Sequence, residues 1–206
     1  MVKFIISTVL FVMSFLSFSA EFVEGKDYEI IHRNGDLASK TKKTVHVTEF
    51  FSYGCPWCYR LEPALSQWIA KQGAAISFSK VPVVFNENWE YYARAYHIVH
   101  ALTLPPSVSD ALFKAIITDK QVLNTTPAMV LFFKNQGVDP VMVESALTHS
   151  ASINLKLKKD AELMASYQIN AIPAIVINDY YKTNLQMAKS EKRLFELLDY
   201  LIKKNH

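Results

Sequence analysis

The sequence predicts an α/β fold in which a small mixed sheet is flanked by helices and interrupted by an inserted all-helical block of roughly 75 residues. Three observations carry that expectation. The run "TVHVTEFFS" is β-branched and aromatic, leads into a helical pattern, and is followed by the alternating run "AISFSKVPVVF", which makes a strand–helix–strand half. From residue 88 to 165 the apolar residues recur at helical spacing. Strand signals then return at "IPAIVIN" and "YYKT" before a last amphipathic helix, a strand–strand–helix half. Half of the 206 residues are hydrophobic, 20% are charged, and Gly and Pro are few, so the chain is globular rather than disordered or fibrous. The net charge of +3 is small, and the clusters "KTKK" and "KKNH" read as solvated chain. Basic and aromatic residues do not interleave on a recognisable motif, which argues against a nucleic-acid partner.

Taken in order, residues 1–19 form a leader. "MVKFIISTVLFVMSFLSFSA" has an early lysine, an apolar run too short to span a bilayer, and then small residues, the layout of a secretory signal peptide. Ser17 and Ser19 suit cleavage before Ala20, with cleavage after Ala20 as the alternative, and an uncleaved anchor as the other reading. Each of these places the remainder outside the cytosol. "YEII" is a short first strand and "HRNGD" a turn. Thr44 to Ser52 is a buried strand, apolar on both faces. Leu61, Leu65, Trp68 and Ile69 mark the helix after it, with Gly73 as its stop, and Pro82 puts the next strand at an edge or strand end. Asn88 to Leu104 is an amphipathic helix. "SVSDALFKAIIT", "TTPAMVLFFKNQG", "DPVMVESALTH" and "SINLKLKKDAELMASYQI" are further helices, with Pro127 and Pro140 at first-turn positions. Met164, Phe132, Phe133 and Tyr91 read as core or interface, and Asn124-Thr125-Thr126 as a helix cap. The expected partition is residues 20–87 with 166–206 in one unit and 88–165 in the helical insertion.

Cys55 and Cys58 are the only cysteines. A bridge between them would close almost no loop, so it is a poor staple even in an oxidising compartment. After a strand, and with Pro56 next, Cys55 falls at a helix N-cap. There the unpaired backbone N–H groups and the positive end of the helix dipole favour thiolate over thiol. Cys55 is then the exposed attacker, and Cys58, one turn on and beneath the helix, the buried resolver. Zinc would need four ligands, and two cysteines supply half of a site; His97 and His100 share a helix face but nothing ties them to the cysteines. A two-thiolate Cu(I) carrier remains the binding-module alternative. The strand–CxxC–helix context points to dithiol redox chemistry with no metal and no cofactor beyond a Cys55–Cys58 disulfide. Pro56 and Trp57, inside the CxxC turn, are expected at the surface as substrate contacts.

The segment "EFFSYGCPWCYRLEPAL" resembles the active-site segment of the DsbA family of periplasmic thiol:disulfide oxidoreductases, members of the thioredoxin-fold superfamily. "AIPAIVIN" is similar to the loop in which that superfamily places a cis-proline opposite the active site, which implies Pro173 with Ile172 before it. Glu49, six residues before Cys55, and Lys80 in the next strand match the family's buried acid and its lysine partner. The helical block matches the family's inserted helical domain, and the resemblance runs from about Val45 to the C-terminus. One position departs: the family usually has histidine where this chain has Trp57, and that histidine helps to stabilise the thiolate. The resemblance implies a thioredoxin fold with an inserted all-helical domain, and a periplasmic, monomeric oxidase. It would introduce disulfides into newly exported proteins bearing thiols and be re-oxidised by a DsbB-type, quinone-linked membrane oxidase. A reductase or isomerase using the same residues is the alternative, although family isomerases usually add an N-terminal dimerisation domain.

Overall fold

A computed structural model describes residues 22–31 and 44–204. The leader with its cleavage positions, the "HRNGD" turn and the "KTKK" cluster lie outside the described residues. Among the described residues there are five strands, β1 (Glu29–Ile30), β2 (Val45–Phe51), β3 (Ile76–Pro82), β4 (Ala174–Ile177) and β5 (Tyr181–Asn184). They form one mixed sheet in the order β1-β5-β4-β2-β3, in which β2 and β3 are parallel and the other pairs antiparallel. Eight α-helices accompany them among the described residues: α1 (Pro56–Gln72), α2 (Glu87–Ala101), α3 (Pro106–Phe113), α4 (Thr126–Asn135), α5 (Pro140–Thr148), α6 (Ala151–Ser166), α7 (Leu185–Ala188) and α8 (Glu191–Lys204). None of them is long and apolar enough to cross a membrane. The thioredoxin fold is therefore present, with α2 to α6 inserted between β3 and β4.

Alternation along β2 decides what each sheet face packs against. Val45, Val47 and Glu49 share one sheet face, and Val45 and Val47 pack with Leu61 and Leu65 of α1 and Leu197 and Leu201 of α8. Phe50, on the other face, meets Tyr167 and Ile169 at the end of α6. The expectation that β2 is apolar on both faces is corrected in its first half. His46 is exposed and Thr48, bonded to Ser79, is half-buried, because only from Phe50 onward does α6 cover that face. Pro82 ends β3 on an open sheet edge, where its missing N–H costs no ladder bond.

Caps set the helix starts. Asn86, Thr125, Asp139 and Ser150 each accept a backbone N–H of the following turn. Pro127 and Pro140 sit in the first turns, where a missing N–H is harmless. α3 continues as a π-helical turn, Lys114–Thr118, and α7 is a single turn that the periodicity does not reveal. The core of the helical block is continuous with the start of α1: Phe51, Tyr53, Cys55 and Cys58 lie in one cluster with Ile98 and Phe133.

Candidate active site

The chain leaves β2 through a turn at Tyr53-Gly54 and enters α1 at the cysteines. Cys55 is the N-cap, with extended backbone (φ −97°, ψ 111°), and Pro56 occupies the first helical turn. The Cys58 backbone N–H donates to the Cys55 sulfur at 3.3 Å. Burial sets the two thiols apart further. The Cys58 hydrogen bond holds the Cys55 thiol below its usual range against the cost of burial, with the N–H groups of Cys58 and Trp57 adding to it. Burial, and then the neighbouring Cys55, push Cys58 well above its usual range. The expectation of an exposed Cys55 is corrected: it is only 4% exposed, against 0% for Cys58, because the helical block and the Ile172 loop close over it. Both cysteines are free thiols in this structure.

Glu49 points from β2 toward the underside of α1, on the same face as Val47, and is fully buried. Lys80 on β3 stands beside it in register. Lys80 Nζ comes within 3.1 Å of Glu49 Oε2 yet donates instead to Glu62 on α1, at 2.7 Å to Oε1. Neither Glu49 oxygen therefore receives a hydrogen bond within the described residues. Burial pushes the Glu49 carboxyl up to about 7, partly offset by the Lys80 charge. Its field opposes ionisation of both cysteines. The arrangement gives a buried acid that can gain and lose a proton near neutrality beneath a buried thiol.

Opposite the cysteines the Ile172–Pro173 bond is cis. The Ile172 carbonyl lies 3.8 Å from the Cys55 sulfur. Trp57 is 59% exposed, Pro56 is also exposed, and both stand at the rim. Trp57, Ile172 and Pro173 line a groove of about 490 Å3 that continues to Leu185, Lys189 and Glu191. The structure thus brings Cys55, Cys58, Trp57, Ile172 and Pro173 to one place, with Glu49 and Lys80 behind the cysteines.

Three residues of this region carry no mark in the sequence reading. Glu62, the second carboxylate on Lys80, lies four residues after Cys58, and that spacing on one helix face was the available signal. Arg60 bridges α1 to α8 through Glu191 at 3.0 Å. Trp89 covers Gly54 so closely that a β-carbon there would lie 2.6 Å from the indole nitrogen, a contact no single-sequence pattern reveals. His97, away from the cysteines, is tied instead to Asp160 on α6.

Comparison with known proteins places this geometry. A family model for the DSBA-like thioredoxin domain matches residues 64–201. The thiol:disulfide interchange protein DsbA of Burkholderia cepacia is 35% identical over 179 residues, which cover 87% of this chain and 84% of that protein. The Azotobacter vinelandii protein of the same name is 31% identical, over 86% of this chain and 82% of its own length. Among solved structures, Pseudomonas aeruginosa DsbA superposes with a TM-score of 0.80 at 28% identity, covering 89% of this chain and 94% of that one.

Proposed function

The chain belongs to the DSBA-like thioredoxin domain family and is a thiol:disulfide oxidoreductase; we propose that it works as an oxidase, giving a Cys55–Cys58 disulfide to exported proteins. A substrate thiol loses its proton and attacks the Cys55 sulfur. The Cys55–Cys58 bond breaks, its electron pair goes to Cys58, and Cys58 takes a proton, with Glu49 as the nearby donor. A second substrate thiolate then attacks the substrate sulfur of the mixed disulfide and expels Cys55 as thiolate. The substrate has lost two electrons and gained a disulfide; the enzyme has gained two electrons and is left with one thiolate and one thiol. Ile172 presents main-chain groups with which an extended substrate segment pairs as an added strand, so recognition is mostly main-chain. The leader delivers the monomer to the periplasm, and a DsbB-type quinone-linked membrane oxidase removes the two electrons and restores the disulfide.

One observation carries the oxidising direction. Cys55 caps α1, and hydrogen bonds hold its thiol low while burial holds Cys58 high. Stabilising the thiolate stabilises the reduced enzyme, so the disulfide gives up its oxidising equivalents readily. The test is stoichiometric: oxidised protein is mixed with reduced, unfolded ribonuclease, and substrate disulfides are counted. Substrate oxidation with matching loss of the enzyme disulfide is the expected result, abolished by Cys55→Ser and by Cys58→Ser, neither of which can hold the enzyme disulfide. Should the enzyme disulfide survive and the ribonuclease stay reduced, the direction is wrong and the reductase reading takes its place.

A further inference from the structure

We propose that the groove beside Cys55 selects substrate segments with an aspartate or glutamate close to the reacting cysteine, and that Lys189 is the residue that reads this charge. The proposal rests on the reading of Cys55 and the Ile172–Pro173 loop as the docking site. Charge within the groove carries it. Arg60, Lys189 and Glu191 line it with Trp57 and Ile172. Arg60 Nε donates to Glu191 Oε1 at 3.0 Å, and its guanidinium lies 5.7 Å from the centre of the Trp57 ring. Arg60 and Glu191 thus neutralise one another across the groove, and the Trp57 face helps to hold the cation in place. Lys189 is exposed and has no ion-pair partner within the described residues. Two cations and one carboxylate leave the groove with one uncompensated positive charge.

Lys189 closes α7 at its C-terminus and lines the groove wall. The next helix strengthens the field. Ser190 accepts the Arg193 N–H at 3.2 Å as the cap of α8, so the positive end of a 14-residue helix opens at the same end of the groove. A basic substrate side chain would find only Glu191, already held by Arg60. An acidic one finds Lys189 free, with the α8 terminus behind it. A segment running along Ile172 as an added strand sends alternate side chains to one side, which lets a residue near its cysteine reach this charge.

The experiment uses the mature protein oxidised at Cys55–Cys58 and three reduced single-cysteine peptides that differ only in Asp, Asn or Lys beside the cysteine. Single-turnover rates are followed against peptide concentration at low and high salt. The expected result is that the half-saturating concentration is lower for the Asp than the Lys peptide by about fivefold, with the advantage fading in high salt. Lys189→Glu is expected to reverse the order, and Lys189→Met to level it. Comparing the Asp/Lys ratio between enzymes removes the effect of each peptide's own thiol acidity. A merely structural role for Lys189 would slow all three peptides alike and keep their order, and that outcome overturns the proposal. So does an Asp/Lys ratio that is the same in wild type and Lys189→Glu while the Asn peptide reacts. Failure of wild type to react even with the Asn peptide sinks the oxidase reading, and the selectivity with it.

Discussion

Glu49 shows how one side chain ties stability to chemistry. Its carboxyl titrates near 7 in the fold against 4.5 for the ordinary group, chiefly through burial. Across that window the folded protein holds a proton that the unfolded chain has lost, so stability falls as pH rises from 4.5 to 7 and stays low above it. At about 1.4 kcal/mol per unit, the ionised carboxylate costs the fold about 3 kcal/mol above neutrality. Glu49→Gln is therefore expected to stabilise the protein by about 2–3 kcal/mol near pH 8 and hardly at all near pH 4.5, read from urea midpoints. It should also slow thiol exchange, because Cys58 loses its nearby proton donor. An equal gain at both pH values would make the effect one of packing. Trp57 is the second test at this scale. A neutral indole offers one N–H donor at most, whereas a histidine in its place can carry a positive charge. Trp57→His is expected to lower the Cys55 pKa and move the equilibrium with glutathione toward reduced enzyme, and an unmoved equilibrium would leave Trp57 a contact residue only.

At the scale of elements, the start of α1 depends on how the turn before it packs. Gly54 lacks positive φ and is required for close approach alone: a β-carbon would meet Trp89 at 2.6 Å and Tyr92 at 2.9 Å, both on α2. Gly54→Ala must push the indole or the turn aside, which costs about 1–3 kcal/mol. The expected sign in a denaturant melt is a lowered midpoint, with faster alkylation of Cys58 as α2 loosens from the cysteines. Adding Trp89→Leu to Gly54→Ala should recover part of the loss, since the two changes share one contact. A neutral Gly54→Ala would show that α2 does not set the turn. The same packing explains why Cys55 is less exposed than its N-cap position suggests: α2 and the Ile172 loop approach it from two sides.

For the whole molecule, the redox state is expected to govern stability. A Cys55 thiol held below its usual range stabilises the reduced fold, fully above the unfolded thiol pKa and progressively less as pH falls through the folded one. Each pKa unit is worth about 1.4 kcal/mol. In a chain of this size that moves a melting temperature by about 2–4 °C per kcal/mol. The reduced form should melt above the oxidised form near pH 8, with the gap closing as the pH is lowered. A higher-melting oxidised form at every pH would contradict the direction of catalysis proposed above.

The sequence by itself determined the order of the strands and of the helices other than the single-turn α7, the placement of Cys55 at an N-cap and, through its resemblance to the family, the candidate set of Glu49, Lys80 and Pro173. These are local matters: periodicity, capping and breaker residues act within a few positions, and the resemblance spans contiguous motifs. It did not determine that β2 is half-exposed at His46, that Glu62 rather than Glu49 takes the Lys80 hydrogen bonds, or that Arg60 and Glu191 meet across the groove. Nor did it show that Trp89 requires a glycine before the active cysteine. Each of these joins residues far apart in the chain, or turns on which of two neighbours a long side chain reaches. Only the packing of α1 between the sheet and the inserted helices, and of α8 beside the groove, decides such pairings.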